Sequence, residues 1–543
     1  MIQKGVRRAL FLPLISTLAA QPPTFHISTR LIQINVIVHD KQGGPVTGLD
    51  KDQFSIFDQG HAQKIVLFAE QSHRLPAPQT ALASTPPGAH VFSNRPDPAS
   101  PSTPSVTAIL FDSMNTDFLD SGFARARVEK FISGVEPTDR VALYGLSTSL
   151  TVLHDFTGDS AALIAALDRF KFGENVQTSA TKFKESNVGG PFDALNNDMD
   201  QRVSDFYMGV RVQNTASALE AVAKHLAGLA GRKNLIWVSG SFPLSIGYFQ
   251  KRLPGAHPSK GAFDSPAEEA ARALSSADVA IYPVNAHALT TLQGVFNAAT
   301  APKPSSGQLT MSRRPPERPP DLDLGAMQKL AGATGGLVFA NTNDIGGAVR
   351  RAIDDGTSTY LLGYYPDHNQ WDGRFREIKV QVKQPGLEVR ARRGYIAYPD
   401  APPDQNRPAL TAASSTPEAL ESTELGLAME VDSGATARLL KGHLRIDVSG
   451  MRFEQKDGRW LGDLDYLWVQ FDAEGKPVLS NSQTLTFKLS PQTYQSAVAN
   501  GLKMSFSEAI ESATTKMRFL ARDRANGATG SVTIPVADLY TRR

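Results

Sequence analysis

Cysteine is missing from all 543 residues of the chain. Its absence excludes disulfides, a thiol nucleophile and a thiolate metal site, and it suits an exported chain that avoids disulfide chemistry. An excess of charge of one sign is missing too. The 56 Lys and Arg stand against 54 Asp and Glu, a formal +2 with no long basic run, so nucleic acid is excluded as the main partner. Beyond the first twenty residues, no apolar run approaches the roughly 20 residues that a membrane-spanning helix needs. Short enzyme motifs are also lacking. Ser239-Gly240-Ser241 is not Gly-x-Ser-x-Gly, so no nucleophile elbow is written there. His257, His287 and His368 stand in loops with no ligand spacing between them, and His154-Asp155 reads as structural rather than as a dyad.

Among the features present, the amino-terminal pattern comes first. Lys4, Arg7 and Arg8 precede a mostly apolar Ala9 to Leu18, and Thr17-Leu18-Ala19-Ala20 offers small residues for cleavage. That order is the order of a secretory signal peptide, cut near Ala19 or Ala20. The expected location is therefore the periplasm, outer envelope or extracellular space, with no transmembrane segment after cleavage. The length suggests about three domains. At 41% hydrophobic and 20% charged, the composition allows sizeable cores.

The stretch Val106 to Thr116 organises the rest. Val106-Thr107-Ala108-Ile109-Leu110-Phe111 is a short apolar run of the kind a parallel sheet buries on both faces. It stops at Asp112, and Leu119 to Gly134 follows as an amphipathic helix with Phe123, Ala126, Val128 and Phe131 as apolar positions. A carboxylate between strand and helix lies at the carboxyl edge of an α/β sheet, where such folds keep their ligand sites. A dinucleotide fold would need Gly-x-Gly-x-x-Gly at this turn, and no glycine is there. A haloacid-dehalogenase-type phosphatase would have Asp-x-Asp, but Met114 holds the second position.

The organisation along the chain reads as follows. Residues 1–20 are the signal peptide, 21–73 a β segment, and 74–104 a linker rich in Pro, Ser and Ala. Residues 105–356 alternate strands and helices as a doubly wound α/β domain, with Arg140 to Tyr144 and Leu150 to Leu153 forming a hairpin at an antiparallel edge. Helices are expected over Asp159 to Phe170, Thr215 to Leu229, Pro266 to Ala277, Leu324 to Ala333 and Ile345 to Ile353, and a strand over Leu337 to Ala340. Residues 357–398 return to β and complete a sandwich with 21–73, since neither half could form a stable core alone. Residues 399–423 make a second linker and 424–543 a C-terminal β domain of sandwich type. Lys171 to Asn214, Phe242 to Asp264 and Asn285 to Pro320 are long interruptions, expected as loops gathered at the carboxyl edge of the sheet. Tyr364-Tyr365 and Arg390 to Arg393 read as sheet pairs and edge charges.

Several motifs, taken in order, resemble the VWFA-related acidobacterial domain family. They are Val46-Thr47-Gly48-Leu49 with Asp52 and Phe54, Phe111-Asp112 with Asn115-Thr116, Asp139-Arg140-Val141-Ala142, and Asp155-Phe156-Thr157. Gly231-Arg232-Lys233-Asn234-Leu235 with Ser239-Gly240, Leu362-Gly363-Tyr364-Tyr365-Pro366 and Arg392-Arg393-Gly394-Tyr395 complete the set. The resemblance implies an exported bacterial protein with a von Willebrand factor A fold. It also implies a degenerate metal-ion-dependent adhesion site. Asp112 matches the first Asp, Thr116 the last Ser, and Thr215, opening its helix, the threonine ligand. Met114 replaces a Ser, and Ser239 stands where a second Asp belongs. A hard cation wants several oxygen ligands and enough charge to offset its dehydration. The expectation is therefore a cluster of Asp112, Asn115, Thr116, Thr215 and Ser239 with no cofactor, or with a weak Mg²⁺ on Asp112, Thr116 and Thr215. The expected function is non-enzymatic binding of another protein, in adhesion or as a scaffold. The alternative is a hydrolase using Asp112.

Overall fold

The computed structural model describes residues 31–72, 90–95, 105–170, 193–241, 266–286, 320–397 and 420–539, apart from short breaks at 117, 138, 230–231, 341–344, 355–357, 368–370, 373 and 433–438. The chain is mixed α/β with mostly antiparallel sheets. Residues 1–20, most of both expected linkers, and the interruptions from 242 to 264 and from 287 to 319 lie outside the described residues.

Eight strands pack as two antiparallel sheets over one core. Before the α/β region come β1 (Ile32–His39), β2 (Phe54–Asp58), β3 (His61–Gln63) and β4 (Leu67–Ser72). A fifth early strand, β5 (His90–Ser93), goes elsewhere. After the α/β region come β11 (Ser358–Tyr364), β12 (Phe375–Val382), β13 (Glu388–Arg390) and β14 (Gly394–Ile396). The sheets run β13-β1-β11-β4 and β14-β12-β2-β3, so early and late strands interleave in both. Alternation drives this pairing: Ile34, Val36, Phe54, Ile56, Tyr360, Leu362 and Ile378 share one buried cluster. Tyr364 and Tyr395 also point inward. Their hydroxyls donate to the same Asp58 oxygen at 2.8 and 2.9 Å.

Between these halves lies a five-stranded sheet in the order β10-β9-β6-β7-β8. Its strands are β6 (Ser105–Asp112), β7 (Val141–Leu146), β8 (Leu150–Thr157), β9 (Arg232–Ser239) and β10 (Val279–Asn285). All neighbours run parallel except β7 and β8, the antiparallel hairpin. The expected strand at Leu337 to Ala340 forms a single parallel bridge, Val284 to Phe339, among the described residues.

Among the described residues, six helices flank this sheet: α1 (Phe118–Ile132), α2 (Ser160–Arg169), α3 (Asp193–Ala227), α4 (Pro266–Ser276), α5 (Pro320–Thr334) and α6 (Ile345–Asp354). Successive residues of a strand point to opposite faces. Ala108 and Leu110 accordingly pack with Leu219, Val222 and Leu226 of α3, Leu274 of α4 and Met327 of α5. Ile109 and Phe111 pack on the other side with Val128 of α1, Leu167 of α2 and Ile353 of α6.

One helix corrects the sequence reading. Thr215 does not open its helix; α3 begins at Asp193 and runs 35 residues, so the supposed loop to Asn214 is helical over its second half. Residues 193–208 contain no Gly or Pro to end a helix, but they also lack the core-facing stripe by which a helix is recognised.

The C-terminal unit contains β15 (Leu427–Val431), β16 (Leu439–Ile446), β17 (Glu454–Lys456), β18 (Arg459–Phe471), β19 (Pro477–Leu489), α7 (Pro491–Asn500), β20 (Leu502–Ala509), β21 (Lys516–Asp523) and β22 (Thr529–Pro535). One sheet is β20-β16-β15-β5, the other β17-β18-β21-β22 with β19 on β18. This corrects the 74–104 linker, because β5 pairs with β15 from Ala428↔Ser93 to Val431↔His90. The four residues of β5 are too few to show a period, and the receiving edge of β15 makes them a strand. Nor does the second linker reach 423. Thr423 is buried and bridges to Gly530.

Candidate functional site

The site is set by register. Asp112 ends β6 directly beside Ser239 of β9 and Leu146 of β7, so the carboxylate and the Ser239 hydroxyl are neighbours at the carboxyl edge of the sheet. The turn that follows is tied down by backbone bonds from Ser113 N and Met114 N to the Leu146 carbonyl, at 2.8 and 3.1 Å. Met114, at the position of an expected oxygen ligand, is fully buried among the apolar side chains beneath α3.

The five residues expected at this edge meet there, all buried. Asp112 accepts through Oδ1 from the Asn115 backbone N–H at 3.0 Å. Its Oδ2 accepts from Asn115 Nδ2 at 2.7 Å and from Trp237 Nε1 at 3.0 Å. The Ser239 hydroxyl also lies 3.0 Å from Oδ2, and its single proton is shared with the Ser241 carbonyl at 2.7 Å. Asn115 Nδ2 donates a second bond, to Thr215 Oγ1 at 2.8 Å. Thr116 is placed differently. Its hydroxyl donates to the Asp112 backbone carbonyl at 2.5 Å and accepts from Gly240 N–H at 2.8 Å, so it braces the turn.

Two side chains complete the cluster that sequence reading did not single out. Trp237 sits two residues before Ser239 on β9, hence on the same face of the strand. Arg211 is buried one helical turn before Thr215. Its Nε donates to Asn115 Oδ1 at 3.0 Å, and an Nη to Ser241 Oγ at 3.1 Å. The signal for Arg211 was its i, i+4 spacing from Thr215, legible only if residues before Thr215 are helical.

These partners also fix the orientation of the Asn115 amide. A guanidinium only donates and an ionised carboxylate only accepts, so Oδ1 faces Arg211 and Nδ2 faces Asp112. The result is a relay from Arg211 through the amide to the buried carboxylate. Burial raises the Asp112 pKa above the usual carboxylate value, while the bonds from Asn115, Trp237 and Ser239 pull it back down.

For a divalent cation, the natural place is between Asp112 Oδ2 and Thr215 Oγ1, two oxygens from different elements. Asn115 Nδ2 bonds both of them, and it is a donor. A cation there would require the amide to leave. Among the described residues, no group of three His, Asp or Glu side chains is placed to hold a metal. The pair His154 and Asp155, on β8, is joined through His154 Nδ1 and the Asp155 carbonyl, 2.7 Å apart.

No family model and no curated protein matches the chain. Solved structures that resemble it in part include an aerotolerance-related membrane protein from Bacteroides fragilis, 13% identical over 46% of this chain and 98% of that one, with a TM-score of 0.25. BatB from Bacteroides thetaiotaomicron is 12% identical over 46% of this chain and 96% of its own, with a TM-score of 0.22. The PilB minor pilin of Streptococcus sanguinis is 10% identical over 48% of this chain and 63% of its own, with a TM-score of 0.25. Likenesses of this size assign neither a fold nor an activity to the chain.

Proposed function

We propose that the chain is an exported, non-enzymatic protein-binding protein, an adhesin or scaffold. Its α/β unit is a von Willebrand factor A-like domain of the VWFA-related acidobacterial type. The carboxyl edge of the sheet is its recognition face and works without a metal. The fold reading is supported by a parallel sheet with one antiparallel edge strand and Asp112 at the end of its central strand. Export is supported by the basic, apolar and small order of residues 1–20. Among the described residues, no helix is long and apolar enough to cross a membrane.

One observation carries the metal-free, non-catalytic reading: the Asp112 carboxylate is enclosed by donors from within the chain. A nucleophile or general base needs an open lone pair facing substrate and a partner to manage the proton. Asp112 is fully buried, and its bonded neighbours are an amide, an indole and a hydroxyl. The same cluster gives the strand ends a fixed shape, the rigid support from which loops recognise partners.

Two measurements on the full chain test the reading. Calorimetry with Mg²⁺ or Mn²⁺ is expected to show no saturable binding at micromolar concentrations; such binding would restore the adhesion-site metal. A photo-crosslinker at Ser241, beside the cluster, is expected to capture a partner in the producing cell with or without a chelator. A crosslinker at Lys64, in the sandwich, is expected not to. Equal capture from both positions would remove the recognition face. Ester or phosphoester turnover that Asp112→Asn abolishes would install the hydrolase reading instead.

A further inference from the structure

One sheet of the C-terminal unit ends in an unguarded strand. β19 is 13 residues long and pairs with β18 from Trp460↔Leu489 to Phe471↔Pro477; among the described residues it has no other strand partner. Edge strands are ordinarily kept from pairing by shortness, charge, Pro or bulges. Pro477, Lys488 and the register shift at Gln470/Phe471 guard the two ends of β19. Residues 478–487 between them hold no charge, no Gly and no Pro.

Register identifies the open backbone groups. The Asp463 carbonyl accepts from Arg524 N–H at 3.1 Å and the Phe471 carbonyl from Thr515 N–H at 2.8 Å. Odd residues of β18 therefore turn their backbone toward β21, and even ones toward β19. Opposite residues of an antiparallel pair exchange both bonds or neither. Gln470↔Leu479, Trp468↔Asn481 and Tyr466↔Gln483 are thus the bonded pairs, and Ser480, Ser482 and Thr484 point their N–H and C=O groups outward. All three are exposed. The side chains of Leu479, Asn481 and Gln483 lie on the core side of the sheet, in register with buried Trp468. That row stays open to water as well: Leu479 is 37% exposed, Asn481 half-buried and Gln483 exposed.

We propose that the outer edge of β19 is a docking site for one extended, uncharged segment of another protein, added antiparallel as the next strand of the sheet. An open row of backbone groups selects a strand, and antiparallel pairing is the stronger kind. Residues of the segment opposite Leu479, Asn481 and Gln483 fall in non-bonded pairs, where side chains come closest. Asn, Gln, Ser or Thr there can bond the two amides, and an apolar residue can cover Leu479. A charged side chain would lose water against residues that carry no charge to meet it. A second copy of the chain fits less well. Its Thr484 and Thr486 hydroxyls already donate to Asp465 and Asp463 at 2.6 and 2.7 Å. Two folded edges meeting over a few residues also bury less than the roughly 1,200 Å² of a stable interface.

The test uses the full chain and two dye-labelled peptides of one sequence, read by fluorescence anisotropy. The sequence alternates Thr and Val on one row with Asn, Gln and Leu on the other. One peptide is N-methylated on the Asn, Gln and Leu residues, whose N–H groups face away from β19 when their side chains lie beside Asn481. The other is N-methylated on the Thr and Val residues, whose N–H groups form the ladder. The first is expected to bind saturably and the second at least tenfold more weakly. Ser482→Pro removes one outward N–H and no bond to β18, and is expected to lose at least tenfold in affinity for the first peptide with an unchanged melting temperature. Should that variant unfold, the two peptides still decide. Equal binding of both, or saturable binding of neither, overturns the proposal. So does full retention of binding by a folded Ser482→Pro. Sedimentation showing a dimer of the parent chain that the first peptide disperses would give the edge to a second copy and overturn it too. None of these residues belongs to the strand-end face, so the peptides and the Ser241 crosslink can fail separately.

Discussion

At the scale of single residues, a fully buried carboxylate and a half-buried one show opposite ways of handling charge. Asp112 is held by short-range donors, and its loss would remove the acceptor of Trp237 Nε1, of one Asn115 Nδ2 hydrogen and of a backbone N–H in a buried cluster. Removing one partner of a buried polar network costs more than the bond itself was worth. Asp112→Ala is therefore expected to destabilise the fold by about 3–5 kcal/mol in urea unfolding. Asn115→Ala, which also breaks the bond to Arg211, is expected to cost about 2–3 kcal/mol. A loss below about 1 kcal/mol for either would show that water replaces the partners freely. Glu421 is handled differently. Burial pushes its pKa up to about 7, and nearby Asp155 adds to the rise, while the Thr533 N–H at 2.6 Å and Arg518 oppose it. A folded value above the unfolded one means that the folded state holds the proton more tightly. The contribution of Glu421 is thus fully present below the unfolded value and fades as pH rises to about 7. His225 works the other way. Burial lowers its pKa, so the stability it contributes is present above the ordinary histidine value and is lost as pH falls below that value toward the lowered folded one. Glu421→Gln can keep the acceptor for Thr533 and is expected to gain up to roughly 3 kcal/mol at pH 8 relative to pH 5. Denaturant melts at the two pH values measure it, and an unchanged difference would mean that Glu421 ionises freely in the fold.

At the scale of elements, α3 joins the site to the C-terminal unit. Its first buried turn places Arg211 and Thr215, and its last meets the chain at 420–425. There the Thr423 hydroxyl accepts from Gly228 N–H at 2.7 Å and donates toward the His225 carbonyl at 2.7 Å, satisfying groups that a helix end leaves open. The contact is tight enough to need a glycine, since a Cβ on Gly228 would come 2.1 Å from the Thr423 carbonyl oxygen. Gly228→Ala is expected to push residues 420–425 off the helix end at a cost of about 2–4 kcal/mol. Hydrogen exchange at the Thr423 amide, bonded to the Lys224 carbonyl at 3.1 Å, should accelerate by orders of magnitude. Protection equal to the parent would refute the fit. This junction was not legible in the sequence, for a physical reason. Residues 420–423 carry no period of their own and become ordered through partners far away in the chain. The strands of the α/β sheet were legible because each is a continuous apolar run, and the convergence of Asp112 with Ser239 follows from two such runs ending in polar residues. What escaped was whatever depends on a helix without a core stripe: the start of α3, and with it Arg211.

At the scale of the whole molecule, the chain returns twice to units it has already left, and each return ties neighbours together. The sandwich takes strands from both sides of the α/β region, and Arg392 at its edge donates to the Ser275 carbonyl at 3.0 Å and to the Gln33 carbonyl at 2.5 Å. Asn35 in β1 bonds Asp278 just before β10. The C-terminal unit borrows β5 from the stretch between sandwich and α/β region. Asn94 donates to the carbonyls of Ser422 and Leu425 at 2.7 and 2.8 Å, and accepts from Leu427 N–H at 2.8 Å. Arg95 pairs with Asp447 at 2.5 Å. Without β5 the outer edge of β15 would offer a row of open backbone groups, the template on which chains associate. A fragment of residues 420–539 is therefore expected to self-associate with rising concentration, despite having its own apolar core. The same fragment with residues 88–97 joined through a Gly-Ser linker is expected to stay monomeric and to melt roughly 3–8 °C higher. Sedimentation and scanning calorimetry on the two fragments decide it. Identical behaviour would mean that β5 only rests on a finished sheet and does not complete it.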